Sequence, residues 1–459
     1  MQLTEKSVLI YQSIKFMNFG FNKISNKIAV LAVVLLTATV SVFPQNPNIK
    51  PPRQEKLLNG LKVLMWSEPT VQNVSVKIRF HSGSAFDPQD KEGLMQMLAE
   101  NIFPNETVKE YFTEDLGGSL EILTNYDFIQ INATAKSEAF LELFEALANA
   151  VANPTINKEI TAKLKTKQLE KVKELEKNPA YVADQAAANR LLGTFPYGRK
   201  QAGTPESVQK IDFADLLLAK QRFLTSDNAT VTISGNFKTD LAFRAARRFF
   251  GSWLKSDKLT PSTFRQPNEP DTKHFEVMIP FNGNSEVRHA MRGLARNDKD
   301  YAASKIFTKI LQYRLQSSMS KNSANIFVRQ SENILPGLIV IGFTPTPIPA
   351  VTSPSETIAI QVGNAGTKPK SLISLFISQP ISQEEYSKAR AEVLSDIAKK
   401  NYADWWLDVD TYKIASVAAE ANIFDTVTQA DVQRVADKLY KNPVVSVSLM
   451  QAGEATPKN

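Results

Sequence analysis

Cysteine is absent from the 459-residue sequence. Its absence excludes disulfide bonds, thiolate metal sites, cysteine nucleophiles and lipid attachment to a thiol. Histidine is scarce: His81, His274 and His289 are the only three, and no two of them have the close spacing of paired metal ligands. We therefore predict that His274 and His289, which lie in the second half of the chain, are surface or structural residues.

Other common active-site fingerprints are missing too. The sequence has no Gly-x-Ser-x-Gly elbow, no P-loop and no dinucleotide-binding glycine pattern between a strand and a helix. The pair Gly117 and Gly118 begins a predicted strand, and we interpret it as a turn rather than a phosphate cradle. The net charge of +7 is spread along the chain without a basic-aromatic motif, so it is weak evidence for nucleic-acid binding.

An apolar run near the start of the chain predicts export. The run Ile28–Val42 follows Lys23 and Lys27 and ends near small residues, which is the pattern of a signal peptide. We predict that residues 1–45 are a signal peptide and that the mature protein is periplasmic. The alternative is an uncleaved membrane anchor, although the run is short against the roughly 20 residues that a span needs. Met17 could be the true start, and no later segment is long and apolar enough to span a bilayer.

The two halves of the chain repeat the same order of patterns. The segment NPTINKEITAKLK from Asn153 resembles QPISQEEYSKARAEV from Gln379, and DLLLAKQRFLTSDNATVTISGNF from Asp215 resembles DVQRVADKLYKNPVVSVSLMQAG from Asp431. The first match pairs two charged helices, and the second pairs two helices that are each followed by a β-branched strand. Two matches in the same order indicate an internal duplication rather than a chance similarity of amphipathic helices.

This duplication predicts an α+β protein of two similar domains, each a mostly antiparallel sheet packed by helices. We place the first domain at residues 50–258, a polar and proline-bearing linker at 259–272, and the second domain at 273–455. The length of the chain agrees with this division, because a single core does not grow to this size.

One predicted helix, EGLMQMLAENIF from Glu92 to Phe103, has an unusual polar face. Its apolar residues recur at helical spacing, while Gln96 and Glu100 stand four residues apart and share the opposite face. Two histidines at this spacing hold zinc in some helices, because both imidazoles then lie on one face. Here the same face carries a glutamine and a glutamate.

Six ordered segments carry the strongest similarity to known proteins. They are FHSGSAFDPQDKEGLMQMLAENIF, LGGSLEILTNYDFIQI, NPAYVADQAAANRLLGTFPYGRKQAGTPESVQKI, NATVTISGNF, YAASKIFTKILQYRL and PISQEEYSKARAEV. Together they resemble the pitrilysin-type (M16) zinc peptidases, and most of all the bacterial relatives built as two-domain subunits. The resemblance covers nearly everything after Pro52, and it implies the M16/LuxS-like metalloenzyme fold for both domains.

In that family the helix matching Gly93–Phe103 carries His-x-x-Glu-His, whose histidines bind zinc and whose glutamate activates the water. Aligning the two ends of this helix puts Gln96 and Glu100 at the histidine positions and Ala99 at the base position. Glutamine is a poor zinc ligand, and alanine cannot move a proton. A shift of one residue brings in no histidine, because the nearest is His81. The resemblance therefore implies a degenerate site, with no catalytic residue and no metal in this chain.

The family's third zinc ligand is a glutamate on a later long helix. In this sequence Glu170, Glu174 and Glu176 are the candidates for that position. Surface ion pairs between residues four apart explain the same glutamates more simply, and we favour that interpretation.

Non-catalytic members of the family contribute an arginine and a tyrosine that hold the substrate. The alignment puts Ser320 and Phe327 at those two positions, so this contribution is in doubt. Arg329 or Lys321 could substitute for the missing arginine.

The resemblance implies a non-catalytic, exported subunit that forms a peptide-enclosing clamshell with a catalytic zinc-peptidase homologue. Zinc is then expected in the partner, and membrane contact only through an uncleaved leader. A substrate peptide would add as a strand to a sheet edge, where backbone hydrogen bonds supply the affinity. The candidate edge consists of Ser119, Leu120, Glu121, Ile122, Leu123, Thr124 and Asn125.

Two alternative functions stay open. One is a stand-alone exported protein that binds unfolded peptides as a scaffold and does not cleave them. The other is a divergent metallopeptidase whose metal is held by Glu100 and glutamates of the long helix. Trp405 and Trp406 lie in a helical pattern; we interpret them as core residues, with a binding platform as the alternative.

Overall fold

The structure is a computed structural model that describes residues 50–257, 263–280, 284–319, 323–345, 376–377 and 379–451. The predicted signal peptide, Met17, Ser320 and Lys321 lie outside these ranges. Within them, no helix combines the length and the apolar character that a bilayer span requires.

The first half of the described chain forms a mixed sheet packed by helices. Its strands are β1 (Arg53–Lys56), β2 (Lys62–Ser67), β3 (Asn73–Phe80), β4 (Ser119–Thr124), β5 (Ile129–Lys136) and β6 (Ala229–Gly235). Its helices are α1 (Leu94–Ile102), α2 (Glu106–Glu114), α3 (Phe140–Ala152), α4 (Lys158–Glu176), α5 (Pro179–Leu192), α6 (Pro205–Lys210), α7 (Phe213–Phe223) and α8 (Thr239–Phe250). The strand order is β1-β2-β6-β3-β5-β4, and β2 and β6 are the parallel pair.

The second half forms a sheet of the same kind. Its strands are β7 (Phe275–Ile279), β8 (Glu286–Arg292), β9 (Ser323–Gln330), β10 (Leu338–Pro345) and β11 (Val444–Gln451). Its helices are α9 (Tyr301–Met319), α10 (Gln383–Ala398), α11 (Tyr402–Tyr412), α12 (Val417–Thr426) and α13 (Gln429–Tyr440). The strand order is β7-β11-β8-β10-β9, and β7 and β11 are the parallel pair.

The two sheets have the same topology once β1 is set aside. The order β2-β6-β3-β5-β4 corresponds strand by strand to β7-β11-β8-β10-β9, with the parallel pair at the same end. The sequence repeats fall on corresponding elements: α4 with α10, and the pair α7 and β6 with the pair α13 and β11. The predicted α+β fold of two similar domains is confirmed, while the predicted limits of the domains stay predictions.

Strand β3 shows how one sequence pattern gives a sheet two different faces. Val74, Val76 and Ile78 alternate along the strand and are fully buried in the first core. Lys77 and Arg79 point to the opposite face, because successive side chains of a strand alternate. That second face is polar, and it needs a polar cover.

Helix α11 of the second half supplies that cover. Its acidic side chains form ion pairs with the first sheet: Lys77 with Asp404 at 2.7 Å, Arg79 with Asp408 at 2.6 Å, and Lys62 with Asp410 at 3.0 Å. Trp405 of the same helix is buried, and Trp406 packs beside Leu64 and Trp66 of β2. Both tryptophans therefore lie in packed surroundings, as the core interpretation expects.

Helix α5 of the first half makes the reciprocal contact. It packs on β8 and β11 of the second sheet, where Ala187, Leu191 and neighbouring small side chains meet Val445 and Val447. Asp184 of this helix accepts from the Arg288 guanidinium of β8 at 2.5 Å. Each half thus covers one face of the other half's sheet with one of its own helices.

The ion pair between Asp408 of α11 and Arg79 of the first sheet is testable by substitution. Asp408→Ala removes the carboxylate that is hydrogen-bonded to the guanidinium of Arg79, which is only 3% exposed and keeps Asp404 at 3.7 Å. We expect a loss of about 2–3 kcal/mol in the free energy of unfolding, because a buried charged group loses a hydrogen bond to its charged partner. The midpoint of urea unfolding measures the loss.

The matched control for Asp408→Ala is Glu159→Ala, which removes an exposed ion pair to Lys163. This pair is worth less than about 0.5 kcal/mol in its surface position. Equal midpoints for the two variants would show that the buried pair does not fasten α11 to the first sheet.

Candidate functional site

Helix α1 begins at a tightly constrained turn. Gly93 has a φ of +99°, and a Cβ there would lie 2.8 Å from the carbonyl oxygen of Ala202, so a side chain fits neither the conformation nor the space. The carboxylate of Asp87 accepts from the N–H groups of Gly93 and Met95 at 2.9 and 2.7 Å, and so caps the first turn. Burial raises the pKa of Asp87 to about 7.

The two sides of α1 differ in burial as the spacing of its apolar residues predicts. Leu94, Leu98 and their apolar neighbours are buried, whereas Gln96 and Glu100 are half-buried and lie together on the more open side. Ala99 is only 1% exposed and belongs to the first core. A methyl group packed among apolar side chains thus occupies the position that the resemblance assigns to the general base.

The long helix α4 reaches this face with Gln168. Its Nε2 donates to the Gln96 Oε1 at 3.1 Å and to the carbonyl oxygen of Ala202 at 2.7 Å. One residue earlier, the Lys167 ammonium lies 3.6 Å from the carboxylate of Glu100. The face is therefore closed by an amide pair and an ion pair.

None of the three glutamates considered as a third ligand is the residue that reaches this face. Glu170 is exposed, Glu174 pairs with Lys177 at 2.6 Å, and Glu176 pairs with Lys200 at 2.8 Å. Glu174 and Glu176 are therefore both in ion pairs, but neither pair joins residues four apart as the sequence interpretation expected. Sequence reasoning missed Gln168, which is 3% exposed, because it searched the helix for carboxylates.

The donors on this face do not match a zinc site. Zinc takes imidazole nitrogen, thiolate sulfur or carboxylate oxygen in tetrahedral sets, whereas the face offers two amides bonded to each other and one carboxylate paired with Lys167. In the part of the chain that the structure describes, no group of three or more His, Asp or Glu side chains is placed to hold a metal ion.

Strand β4 lies beside this face as the last strand of its sheet. Helix α1 packs against it, and β5 is its one neighbour among the described strands. Leu120 and Ile122 are half-buried against the core, while Ser119, Glu121 and Leu123 are exposed. The predicted peptide edge is therefore an edge strand over Ser119–Thr124.

Asn125, the last member of the predicted edge, lies in the turn that follows β4. Its side-chain oxygen accepts from the N–H groups of Asp127 and Phe128, both at 2.8 Å. At the other end of the strand, a Cβ on Gly118 would lie 1.9 Å from the carbonyl oxygen of Thr134. Gly117 and Gly118 thus form the turn that precedes β4 and allows this strand to lie close to β5.

The three histidines lie away from α1. The ring nitrogens of His81 lie 2.9 and 3.0 Å from the hydroxyls of Thr411 and Thr230, and burial lowers its pKa to about 3. His289 is fully buried in β8, where burial lowers its pKa to about 4. His274 contacts the Ser446 hydroxyl at 3.0 Å. These positions fit neutral structural residues.

Of the residues considered for substrate holding in the second half, Phe327 and Arg329 lie on β9. Phe327 is half-buried, and the Arg329 guanidinium lies over its ring at 4.7 Å. Arg329 also pairs with Asp184 at 2.6 Å, so it takes part in the contact between α5 and the second sheet.

Family comparison matches both halves of the chain. The model described as Insulinase (Peptidase family M16) matches residues 62–204, and the model described as Peptidase M16 inactive domain matches residues 210–393. These matches and the duplicated fold together define a peptidase-like protein. The chain belongs to peptidase family M16.

Individual relatives are distant. An uncharacterized zinc protease, YmxG, of Bacillus subtilis (strain 168) is 21% identical over 243 residues, which are 50% of this chain and 59% of that protein. The chain thus spans about three-fifths of the length of that curated relative.

Two solved structures share the fold. The peptidase M16 inactive domain from Pseudomonas fluorescens covers 89% of this chain and 100% of its own, with a TM-score of 0.75 at 17% identity. The periplasmic protease PqqL from Escherichia coli covers 88% of this chain but only 48% of its own, with a TM-score of 0.65 at 14% identity.

The geometry of the helix face predicts a gain of metal binding. We expect the triple variant Gln96→His, Glu100→His and Gln168→Glu to bind one equivalent of zinc, because it places an imidazole and a carboxylate at two positions already in contact and a second imidazole one helical turn away. Metal analysis after dialysis measures the bound zinc.

The control for the triple variant is the same pair of histidines combined with Glu170→Gln, which changes an exposed position on α4. We expect this protein to retain less zinc than the triple variant, because it lacks the third ligand. A folded triple variant that retains no zinc would show that α1 and α4 are not positioned as described.

Proposed function

We propose that this chain is a non-catalytic M16 subunit that binds peptide and supports proteolysis through a catalytic M16 partner. The observation that carries the proposal is the closed helix face, where Gln168 is bonded to Gln96 and Lys167 is paired with Glu100. With Ala99 buried at the base position, this face has no imidazole to hold zinc and no unpaired carboxylate to activate water. Zinc and the general base would come from the partner.

The comparison with PqqL supports a partner of the M16 kind. The region matched here makes up 48% of the longer PqqL chain, so that protease contains about as much again in one polypeptide. We infer that a second two-domain unit of the same kind completes an enclosure for the peptide. The leader predicted at residues 1–45 would place this assembly in the periplasm.

The hydrogen-bond register of β4 identifies the groups that would bind the peptide. The Asn125 N–H donates to the carbonyl oxygen of Phe128 at 3.0 Å, which makes these two residues a hydrogen-bonded pair. Bonded and non-bonded pairs alternate along an antiparallel ladder, so Leu120, Ile122 and Thr124 turn their N–H and C=O groups away from β5.

These outward backbone groups form a template for an added strand. Within the described ranges, no backbone partner is recorded for them. An extended peptide that pairs with this edge gains backbone hydrogen bonds whatever its sequence, which suits capture of varied substrates. The same edge would serve a stand-alone peptide-binding scaffold, so the partner is what separates the two functions.

Purification of the chain from its native compartment tests the pairing. We expect it to copurify with an M16 homologue that carries an intact His-x-x-Glu-His, with zinc in the complex and peptide hydrolysis only when both chains are present. Glu100→Ala in this chain should leave that hydrolysis within about twofold, because the carboxylate pairs with Lys167 and serves no chemical step.

Two results would contradict this assignment. Stoichiometric zinc and hydrolysis in the isolated chain, both lost on Glu100→Ala, would make the chain a divergent metallopeptidase. Peptide binding without any catalytic homologue in the native extract would make it the stand-alone scaffold.

A proline at Thr124 tests the peptide edge. Thr124→Pro removes one outward N–H without removing a bond between β4 and β5, because Thr124 belongs to a non-bonded pair. We expect about a fivefold loss of affinity for a fluorescein-labelled unfolded peptide, since one backbone hydrogen bond contributes roughly 1 kcal/mol. Fluorescence anisotropy measures the affinity.

The matched control for this test is Thr124→Val, which keeps the N–H and the β-branched shape. It should bind the peptide as the unchanged protein does. Equal affinities for the proline and valine variants, at equal melting temperatures, would show that the peptide does not pair with β4.

A further inference from the structure

We propose that the folded body docks on anionic lipid bilayers through a surface at the end of helix α8. This surface, the α8 patch, is defined by Leu58, Arg244, Arg247, Arg248, Leu254 and Lys255. All six side chains are exposed. The proposal goes beyond the peptide-binding role. The patch lies near the end of the strand order that is opposite to β4.

Two leucines project from the patch. Leu58 is as exposed as in a free peptide, at 107%, and Leu254 is 75% exposed. They are held close together, because the Asn59 amide donates to the carbonyl oxygens of Phe250 and Trp253 at 2.7 and 2.9 Å. The turn with Leu58 is thereby fixed beside the segment with Leu254. Two neighbouring exposed leucines with fixed backbones are a candidate for insertion into a bilayer interface.

Three arginines line the exposed side of α8. The helix buries Ala242, Ala246 and similar small residues, so Arg244, Arg247 and Arg248 face outward. No carboxylate lies within ion-pair distance of these three guanidinium groups in the part of the chain that the structure describes. Their charge is therefore available to an anionic surface, which attracts each nearby cation by about 1 kcal/mol, or roughly fivefold.

Aromatic rings lie between these cations and the protein. Arg247 lies over the ring of Phe243 at 6.0 Å, and Arg248 lies over the ring of Phe249 at 5.5 Å. Both rings are half-buried. A helix with cations and aromatic rings on its outer side, followed by exposed leucines, suits the boundary between headgroups and acyl chains. A nucleic-acid backbone would use the arginines and leave the leucines without a partner.

The carboxylates near the patch are already engaged or lie at its margin. Asp240 begins α8 and pairs with Arg53 of β1 at 2.7 Å, and Asp227 accepts from the Ser256 backbone and hydroxyl. The remaining acid next to the patch is Asp257, two residues after Lys255. The patch thus keeps an excess of positive charge.

The position of the patch relative to β4 suits docking on a bilayer. Helix α8 packs on β2, which lies with β1 at one end of the strand order, while β4 lies at the other end. The carbonyl oxygen of Lys50 accepts from the Trp66 indole of β2 at 2.8 Å, so the chain enters the fold at the same end as the patch. Docking there would leave the peptide edge directed away from the lipid.

Vesicle cosedimentation of the full chain tests the proposal. We expect binding to vesicles of phosphatidylglycerol and phosphatidylcholine in equal parts, and weaker binding to phosphatidylcholine alone. The variant Arg247→Glu with Arg248→Glu should bind the anionic vesicles at least about 25-fold more weakly, from two cations at roughly fivefold each. The variant Leu58→Asn with Leu254→Asn should lose about tenfold or more.

The controls for cosedimentation use exposed side chains elsewhere in the protein. Lys163→Glu with Lys173→Glu on α4 matches the charge change, and Met278→Asn on β7 matches the loss of an exposed apolar side chain. Both control proteins should bind as the unchanged chain does. If the α4 variant loses as much as the α8 variant, binding follows net charge and the proposal fails.

A local probe separates the patch from the leader. Because the sequence has no cysteine, Leu254→Cys carries a single polarity-sensitive dye, and Met278→Cys carries the same dye as a control. We expect a blue shift on addition of anionic vesicles for the label at 254 and none for the label at 278. Unchanged spectra at both positions overturn the proposal, and so does binding that duplex DNA displaces while the leucine variants bind normally.

Discussion

The exchange of helices between the two halves is the constraint on which the rest of the structure depends. A sheet has two faces, and the helices of each half cover only one of them, so the other face must find a cover. In the first sheet that face carries Lys77 and Arg79, and the acidic helix α11 covers it. In the second sheet Arg288 lies on the corresponding face and forms an ion pair with Asp184 of α5. The halves are therefore parts of one folded body.

This exchange also fixes the peptide edge. Asp127, in the turn between β4 and β5, accepts from the Tyr197 hydroxyl at 2.7 Å and from the Asn333 side-chain amide at 2.8 Å. Tyr197 follows α5 in the chain, and Asn333 belongs to the second half. The hairpin that contains β4 is thus held by hydrogen bonds to residues of both halves.

The sequence predicts what local patterns encode. Alternation in β3, helical spacing in α1 and the repeated helix-strand segments give the two similar sheets and place Gln96 and Glu100 on one face. The partner of that face, Gln168, follows a weaker signal: its helix buries positions 161, 164, 168 and 172 at helical spacing. A search for carboxylates passes over a buried amide within that stripe.

Long-range contacts are less accessible to sequence reasoning. Nothing local in the segment around Trp405 shows that its helix covers the sheet of the other half, because the pairing depends on charges some 330 residues apart, such as Arg79 and Asp408. The same holds for His81, whose neighbours Thr230 and Thr411 come from distant parts of the chain. The α8 patch is partly visible as a run of arginines, but Leu58 joins it only through the bond of Asn59 to Trp253.

On the proposed assignment, the chemistry of the α1 face would explain how the fold persists without a metal. A site built for a cation leaves carboxylates or polar groups unsatisfied when the cation is lost, and buried unsatisfied groups cost stability. Here Gln168 satisfies Gln96 and Ala202, while Lys167 neutralises Glu100. These contacts satisfy the polar groups of this face by side chains of α4. Selection on such a chain can act on its surfaces, which are the edge of β4 and the faces that meet other molecules.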